Sequence, residues 1–184
     1  MQAVLDSVKE LKSFGPRKLL LQVISIGITV GSALMIWNVL KVVSYVESPV
    51  VVVLTASMEP AFYRGDILYV QNRKQQILPG DIPVFQIKSE TIPIVHRLII
   101  RQDIKYDERK FYLLTKGDNN PLDDRALYPN RQVWIHQQDL LGFIEAYCPY
   151  VGYVTILMND YPLLKFALLG VLGLSVFFSN DPDE

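Results

Sequence analysis

The sequence predicts a mainly β domain carried behind a single N-terminal membrane-spanning helix and followed by a short apolar helix. Three observations carry that prediction. Leu19–Leu40 holds no charged residue across 22 positions. From about residue 48, short runs rich in Val, Ile, Tyr and Phe alternate with turn residues. Near the C-terminus, the 13-residue stretch Phe166–Phe178 after Lys165 is uncharged and mostly apolar.

Composition bounds the reading. The chain has 184 residues, half of them hydrophobic, enough for one domain plus an anchor. A net charge of −1 gives no basic footprint for nucleic acid. One cysteine, Cys148, excludes a disulfide framework, and with two histidines leaves no metal-ligand spacing; no metal and no cofactor is expected. Cys148 is read as a small buried hydrophobe.

Taken in order, the first element is the anchor. At about 1.5 Å per residue, residues 19–40 make a helix of roughly 33 Å, enough to cross a bilayer. A secretory signal peptide would have a shorter core and small residues at a cleavage site, whereas Trp37, Asn38, Leu40 and Lys41 follow here. Lys9, Lys12, Arg17 and Lys18 precede the stretch and only Lys41 lies shortly after it. The positive-inside rule then puts residues 1–18 in the cytosol and the body of the chain across the membrane.

The β domain, residues 48–160, is predicted to contain strands at Val50–Leu54, Ile67–Gln71, Ile82–Ile87, Ile92–Arg101, Lys110–Thr115 and Val133–Ile135, with another near Leu141–Glu145. Pro79-Gly80, Asp118-Asn119-Asn120-Pro121 and Tyr128-Pro129-Asn130 punctuate them. Pro83 and Pro93 fall at strand starts or edges, where a missing N–H is tolerated. The last element, residues 163–178, has an uninterrupted apolar core of about 20 Å, too short to span an average bilayer. It either dips into the membrane, lies on it, or packs as a buried helix of the domain.

Three places could carry chemistry. A hydrophobic run ends at Thr55-Ala56-Ser57 before the turn Met58-Glu59-Pro60, so that the Ser57 hydroxyl could face a cleft; a solvated turn serine is the plainer alternative. His96 shares its period-two face with Ile92, Ile94, Leu98 and Ile100, all aliphatic, so it is either a satisfied core histidine or a base. His136, after Trp134-Ile135, reads as an exposed strand-end residue. The loop from Lys116 to Arg125 supplies Asp118, Asp123 and Asp124, any of which could orient a histidine. Serine, histidine and aspartate can build a nucleophile, a general base and its orienter, but only geometry defines such a set.

The ordered segments Ser57-Met58-Glu59-Pro60, Arg64-Gly65-Asp66, Pro79-Gly80-Asp81-Ile82-Pro83-Val84-Phe85, Ile94-Val95-His96-Arg97 and Gly117-Asp118-Asn119-Asn120 through Asp123-Asp124-Arg125 resemble the motif boxes of type I signal peptidases. Histidine in the fourth box, where bacterial enzymes carry lysine, resembles the endoplasmic-reticulum branch. The flanking Leu114-Thr115-Lys116 and Val154–Pro162 make the chain similar to the catalytic subunits of the eukaryotic signal peptidase complex over nearly its whole length. The resemblance implies a signal-peptidase-like β domain and a membrane-bound serine endopeptidase with Ser57 as nucleophile, His96 as general base and Asp124 as charge relay. It makes Asp123 a mere neighbour, lets Asp118 organise its turn, and puts the Thr55 hydroxyl with the Ser57 N–H in the oxyanion region. It further implies accessory subunits, preprotein substrates with small residues at −1 and −3, a preference for short hydrophobic segments, and an endoplasmic-reticulum membrane location of type II topology. Arg64-Gly65-Asp66 is then a turn feeding the strand Ile67–Gln71, not an adhesion tripeptide.

The chain departs from the family's Ser-Gly-Ser-Met by reading Thr55-Ala56-Ser57-Met58; alanine at position 56 would be strained if the turn required positive φ. Tyr63 is a milder departure. Two other readings keep the same fold: a catalytically silent, membrane-anchored scaffold subunit, and a prokaryote-like signal peptidase working alone. Chemically, a histidine at its ordinary value of about 6.5 is mostly neutral at pH 7 and free to act as a base, whereas a lysine would need strong desolvation.

Overall fold

Charge-free sequence becomes helix where nothing competes with it. The computed structural model describes residues 16–73, 76–87, 92–104, 107–128 and 132–178. Helix α1 runs Pro16–Ser44, with Pro16 at its first position, where a missing N–H is harmless. It is about 44 Å long, and Leu20–Ser44 is long and apolar enough to cross a membrane. The expected cytosolic segment through residue 15, the turn at Pro129-Asn130 and residues 179–184 lie outside the described residues.

Residues 44–184 form a second compact unit built on two antiparallel sheets. Strands β1 (Val50–Val52), β2 (Ile67–Gln71), β3 (Pro83–Phe85), β4 (Ile94–Val95) and β8 (Leu140–Cys148) make the first, in the order β1-β2-β8-β3-β4. Strands β5 (Arg97–Ile104), β6 (Asp107–Lys116) and β7 (Ile135–His136) make the second, in that order. Register pairs Val51 with Leu68, Val84 with Gly142, and Leu98 with Thr115. The larger core draws Phe85 and Phe143 from the first sheet and Leu98, Leu113 and Ile135 from the second. A smaller one gathers Met58, Phe62 and Leu68 under the β1–β2 connection.

Four expectations need correcting. The expected strand Ile92–Arg101 is two strands: pairing stops at His96, β4 belongs to the first sheet and β5 to the second. His96 and Leu98 are buried, but a bulge between Leu98 and Ile100 then breaks the alternation and leaves Ile100 exposed; Ile92, ahead of β4, is exposed too. The run at Val50 is a half-buried edge strand, with Leu54 exposed. Third, His136 is half-buried, its ring meeting Tyr112 edge-on at 5.1 Å. Cys148, at the outer end of β8, is exposed.

The Arg64-Gly65-Asp66 segment is the expected turn into β2. Gly65 has φ +93°, and a Cβ there would lie 2.3 Å from the Tyr153 ring, so only glycine fits. Asp66 is 2% exposed and accepts the N–H groups of Tyr63 and Tyr150, tying the turn to the end of β8. Two helices close the chain, α2 (Tyr153–Asp160) and α3 (Pro162–Phe178), bent by 109° to each other. Pro162 explains the break: it bars Tyr161 from the helical region, and Tyr161 takes φ −122°, ψ 83°. The described side chains of α3 are almost all exposed, against the reading of a buried helix of the domain.

Candidate active site

The serine is presented by a turn whose anchors are apolar. Past β1, Val53 keeps strand-like bonding, donating to Asp66 and accepting from Gly65. The chain then turns, with the Glu59 N–H on the Ala56 carbonyl and the Phe62 N–H on the Met58 carbonyl. Met58 and Phe62, 2% and 6% exposed, bury the far side of that turn and leave Ser57 facing outward. Among the described non-glycine residues, positive φ occurs at Tyr45 and Tyr150, so Ala56 adopts an ordinary conformation and carries no left-handed strain.

A second segment braces the serine from behind. The Asn119 N–H donates to the Ser57 carbonyl at 2.9 Å and the Asn119 side chain to the Ala56 carbonyl at 3.2 Å. The approach is so close that a Cβ on Gly117 would lie 2.7 Å from the Ser57 oxygen. Asp118 fixes this loop through a two-pronged pair with Arg97, at 2.8 and 2.6 Å, while Arg97 also donates to the Gly80 carbonyl. The hydrogen bond to Asp118 raises the Arg97 pKa above its ordinary value despite partial desolvation. Asp118 thus organises the loop, and Arg97, which faces away from the His96 side, supplies its anchor.

His96 lies at the junction of β4 and β5, 5% exposed. Its Nε2 is 3.1 Å from Ser57 Oγ and its Nδ1 is 2.6 Å from Asp124 Oδ2. An ionised carboxylate only accepts, so Nδ1 carries the proton and Nε2 is left to accept from the Ser57 hydroxyl. With that hydrogen committed to His96, the Thr55 hydroxyl, 3.2 Å away, donates to Ser57 Oγ. Asp124 opens a 3-10 turn, Asp124–Ala126, and is 1% exposed. Its neighbour Asp123 caps that turn instead, accepting the Arg125 N–H at 3.2 Å. The structure therefore gathers Ser57, His96, Asp124 and Thr55, sets Asp118 behind them, and turns Asp123 to a capping role.

Two members of the constellation were not singled out from sequence. The Thr115 hydroxyl donates to Asp124 Oδ2 at 2.6 Å, and the Tyr128 hydroxyl lies 3.0 Å from Thr115 Oγ1. A lone polar residue closing the apolar run Phe111-Tyr112-Leu113-Leu114 was the available signal for Thr115. Tyr128 gave none beyond a turn.

The serine and histidine open onto a cleft of about 450 Å³. One wall is Val52–Thr55, running on from β1; the other is Ile92–Val95, including β4; Asn120 and Leu127 complete it. The walls run along the two edge strands of the five-stranded sheet, whose outer edges carry no further strand among the described residues and suit an extended peptide.

Residues 153–178 match a family model described as the signal peptidase C-terminal short helix. The chain is 48% identical over 178 residues to the human signal peptidase complex catalytic subunit SEC11C, covering 96% of this chain and 92% of the relative. The mouse SEC11C is 47% identical over the same shares. The signal peptidase complex catalytic subunit SEC11 of the yeast Lodderomyces elongisporus is 48% identical over 166 residues, 90% of this chain and 98% of the relative.

Proposed function

Since the chain belongs to the family of signal peptidase complex catalytic subunits, we propose that it removes N-terminal signal peptides at the endoplasmic reticulum membrane by serine-type acyl transfer, with Ser57, His96 and Asp124 as its catalytic groups. The chain is a peptidase subunit of a hetero-oligomeric complex. The observation that carries the finer reading is the continuous contact from Ser57 Oγ through both nitrogens of His96 to buried Asp124, at the floor of an open cleft.

The chemistry follows from the donors and acceptors. A signal peptide lies extended between the β1 continuation and β4, its scissile carbonyl over Ser57. His96 Nε2 takes the Ser57 proton as Oγ attacks the carbonyl carbon. Negative charge moves to the carbonyl oxygen, toward the Ser57 N–H and the Thr55 hydroxyl, which swings from Ser57 Oγ to the new oxyanion. The imidazolium, held by Asp124, gives its proton to the leaving amine and the C–N bond breaks. Water then attacks the acyl-enzyme, His96 accepts its proton and returns it to Ser57, and the carboxylic acid is released.

Topology belongs to the same proposal. Four basic residues precede the apolar stretch and one follows it shortly, which supports a cytosolic N-terminus and a lumenal β domain. Exposed apolar side chains on α2 and α3, among them Val154, Leu163 and Phe166, support contact of those helices with lipid or accessory subunits.

The deciding experiment is cleavage of a preprotein by the assembled complex, comparing wild type with Ser57→Ala at equal assembly. Loss of cleavage is expected. Retained cleavage would assign the chemistry to another subunit and overturn the proposal.

A further inference from the structure

The hydrogen bonds behind His96 do not end at Asp124. Asp124 is almost fully buried, and a buried carboxylate is stable as an anion only where donors reach it. Both of its hydrogen bonds fall on Oδ2, from His96 Nδ1 and from the Thr115 hydroxyl, each at 2.6 Å. Its Oδ1 has no partner among the described residues. Apart from the base itself, Thr115 is thus the only donor to this carboxylate among the described residues.

The proton order is forced from there. Thr115 spends its one hydroxyl hydrogen on Asp124, so its oxygen can only accept from Tyr128, 3.0 Å away. The Tyr128 oxygen in turn accepts the Thr115 backbone N–H at 3.3 Å. Tyr128 must therefore keep its phenolic proton. Burial, the largest influence, pushes its pKa up to about 12, so the donor persists throughout the neutral range. Thr115 is 0% exposed and pairs in register with Leu98, two residues beyond His96, so one stretch of the β5–β6 ladder fixes both.

We propose that Thr115 and Tyr128 are positioning residues for signal-peptide cleavage, holding the Asp124 carboxylate aimed with one oxygen at His96 Nδ1. The inference rests on the catalytic reading of Ser57, His96 and Asp124. Its chemical content is the tautomer. Without the Thr115 donor, only the His96 Nδ1–H holds Asp124 Oδ2, and the carboxylate is free to turn out of line with the ring. A misaligned carboxylate no longer pins the imidazole hydrogen on Nδ1, and with that hydrogen on Nε2 the ring cannot accept the Ser57 hydroxyl hydrogen. Neither side chain lines the cleft, so the effect falls on turnover and leaves substrate binding alone.

The test uses the intact complex in detergent and one preprotein substrate, with Thr115→Val, Thr115→Ser, Tyr128→Phe and Ser57→Ala compared at equal assembly. Thr115→Val keeps the shape and loses the hydroxyl; kcat is expected to fall roughly 10- to 100-fold, as for loss of a hydrogen bond to a buried charge, with KM within about twofold. Thr115→Ser is expected to recover most of the rate, and Tyr128→Phe to fall between. Thr115→Val at the wild-type rate, Thr115→Ser no faster than Thr115→Val, or a change confined to KM would overturn the inference. Should Thr115→Val fail to assemble, Tyr128→Phe decides: slowed turnover at unchanged KM supports the relay, and a wild-type rate overturns it. Cleavage that survives Ser57→Ala marks failure of the catalytic reading itself, whereas its loss beside normal Thr115 and Tyr128 variants sinks this inference alone.

Discussion

Two adjacent aspartates divide the labour at the residue scale. Asp124 is buried against His96, while Asp123, one position earlier, caps the turn that aims it. Asp124→Asn is accordingly expected to cut kcat by roughly a thousandfold or more with substrate binding kept, since an amide can impose the wrong imidazole tautomer. Asp123→Asn, which preserves a capping oxygen, should stay near the wild-type rate. Steady-state kinetics on both variants check the pair, and equal losses would remove Asp124 from its role. The ordered motifs and the resemblance they carry singled out Ser57, His96 and Asp124, which the structure brings into contact. Thr115 was not singled out, because its partners lie 9 and 13 residues further along the chain and threonine in a strand needs no special explanation.

Elements tell a different story. The strand positions were legible from runs of Val, Ile, Tyr and Phe, and β2 falls on the expected residues. What period two could not reveal was the exchange of sheets at His96. Alternation assumes one continuous pleat, and a strand that leaves its sheet and then bulges obeys that assumption only locally. The same segment shows why His96 looked like a core residue: it is buried, yet at a seam between sheets and not within a flat face. A second juncture, between the β2 turn and α2, depends on Gly65. Gly65→Ala would have to relieve both a φ of +93° and a 2.3 Å approach to the Tyr153 ring. A loss of about 2 kcal/mol or more is expected, read as a lowered Tm of the complex. An unchanged Tm would mean that α2 moves aside freely.

For the whole molecule, hydropathy made the anchor and the short C-terminal apolar helix legible, whereas α2 fell inside the expected β domain and was not foreseen. Orientation in the membrane comes from charge asymmetry and is open to direct measurement. The chain has no Asn-x-Ser/Thr acceptor of its own. Lys74→Thr completes one at exposed Asn72, and glycan addition in microsomes is expected if the β domain is lumenal. Absence of the glycan on an assembled, active complex would reverse the proposed topology.

The division of the site between sheets has a consequence for how the protein fails. Ser57 hangs from the first sheet, Asp124 follows the last long strand of the second, and His96 is the residue at which the chain passes between them. No single sheet holds all three. On the proposed mechanism the alignment of Ser57, His96 and Asp124 is therefore a gauge of how well the two sheets are clasped, and a slip of an ångström at their shared core is expected to silence the enzyme while every strand is still formed. Under mild denaturant or heat, hydrolysis should cease well ahead of any loss of secondary structure, leaving an intact but idle subunit in the membrane.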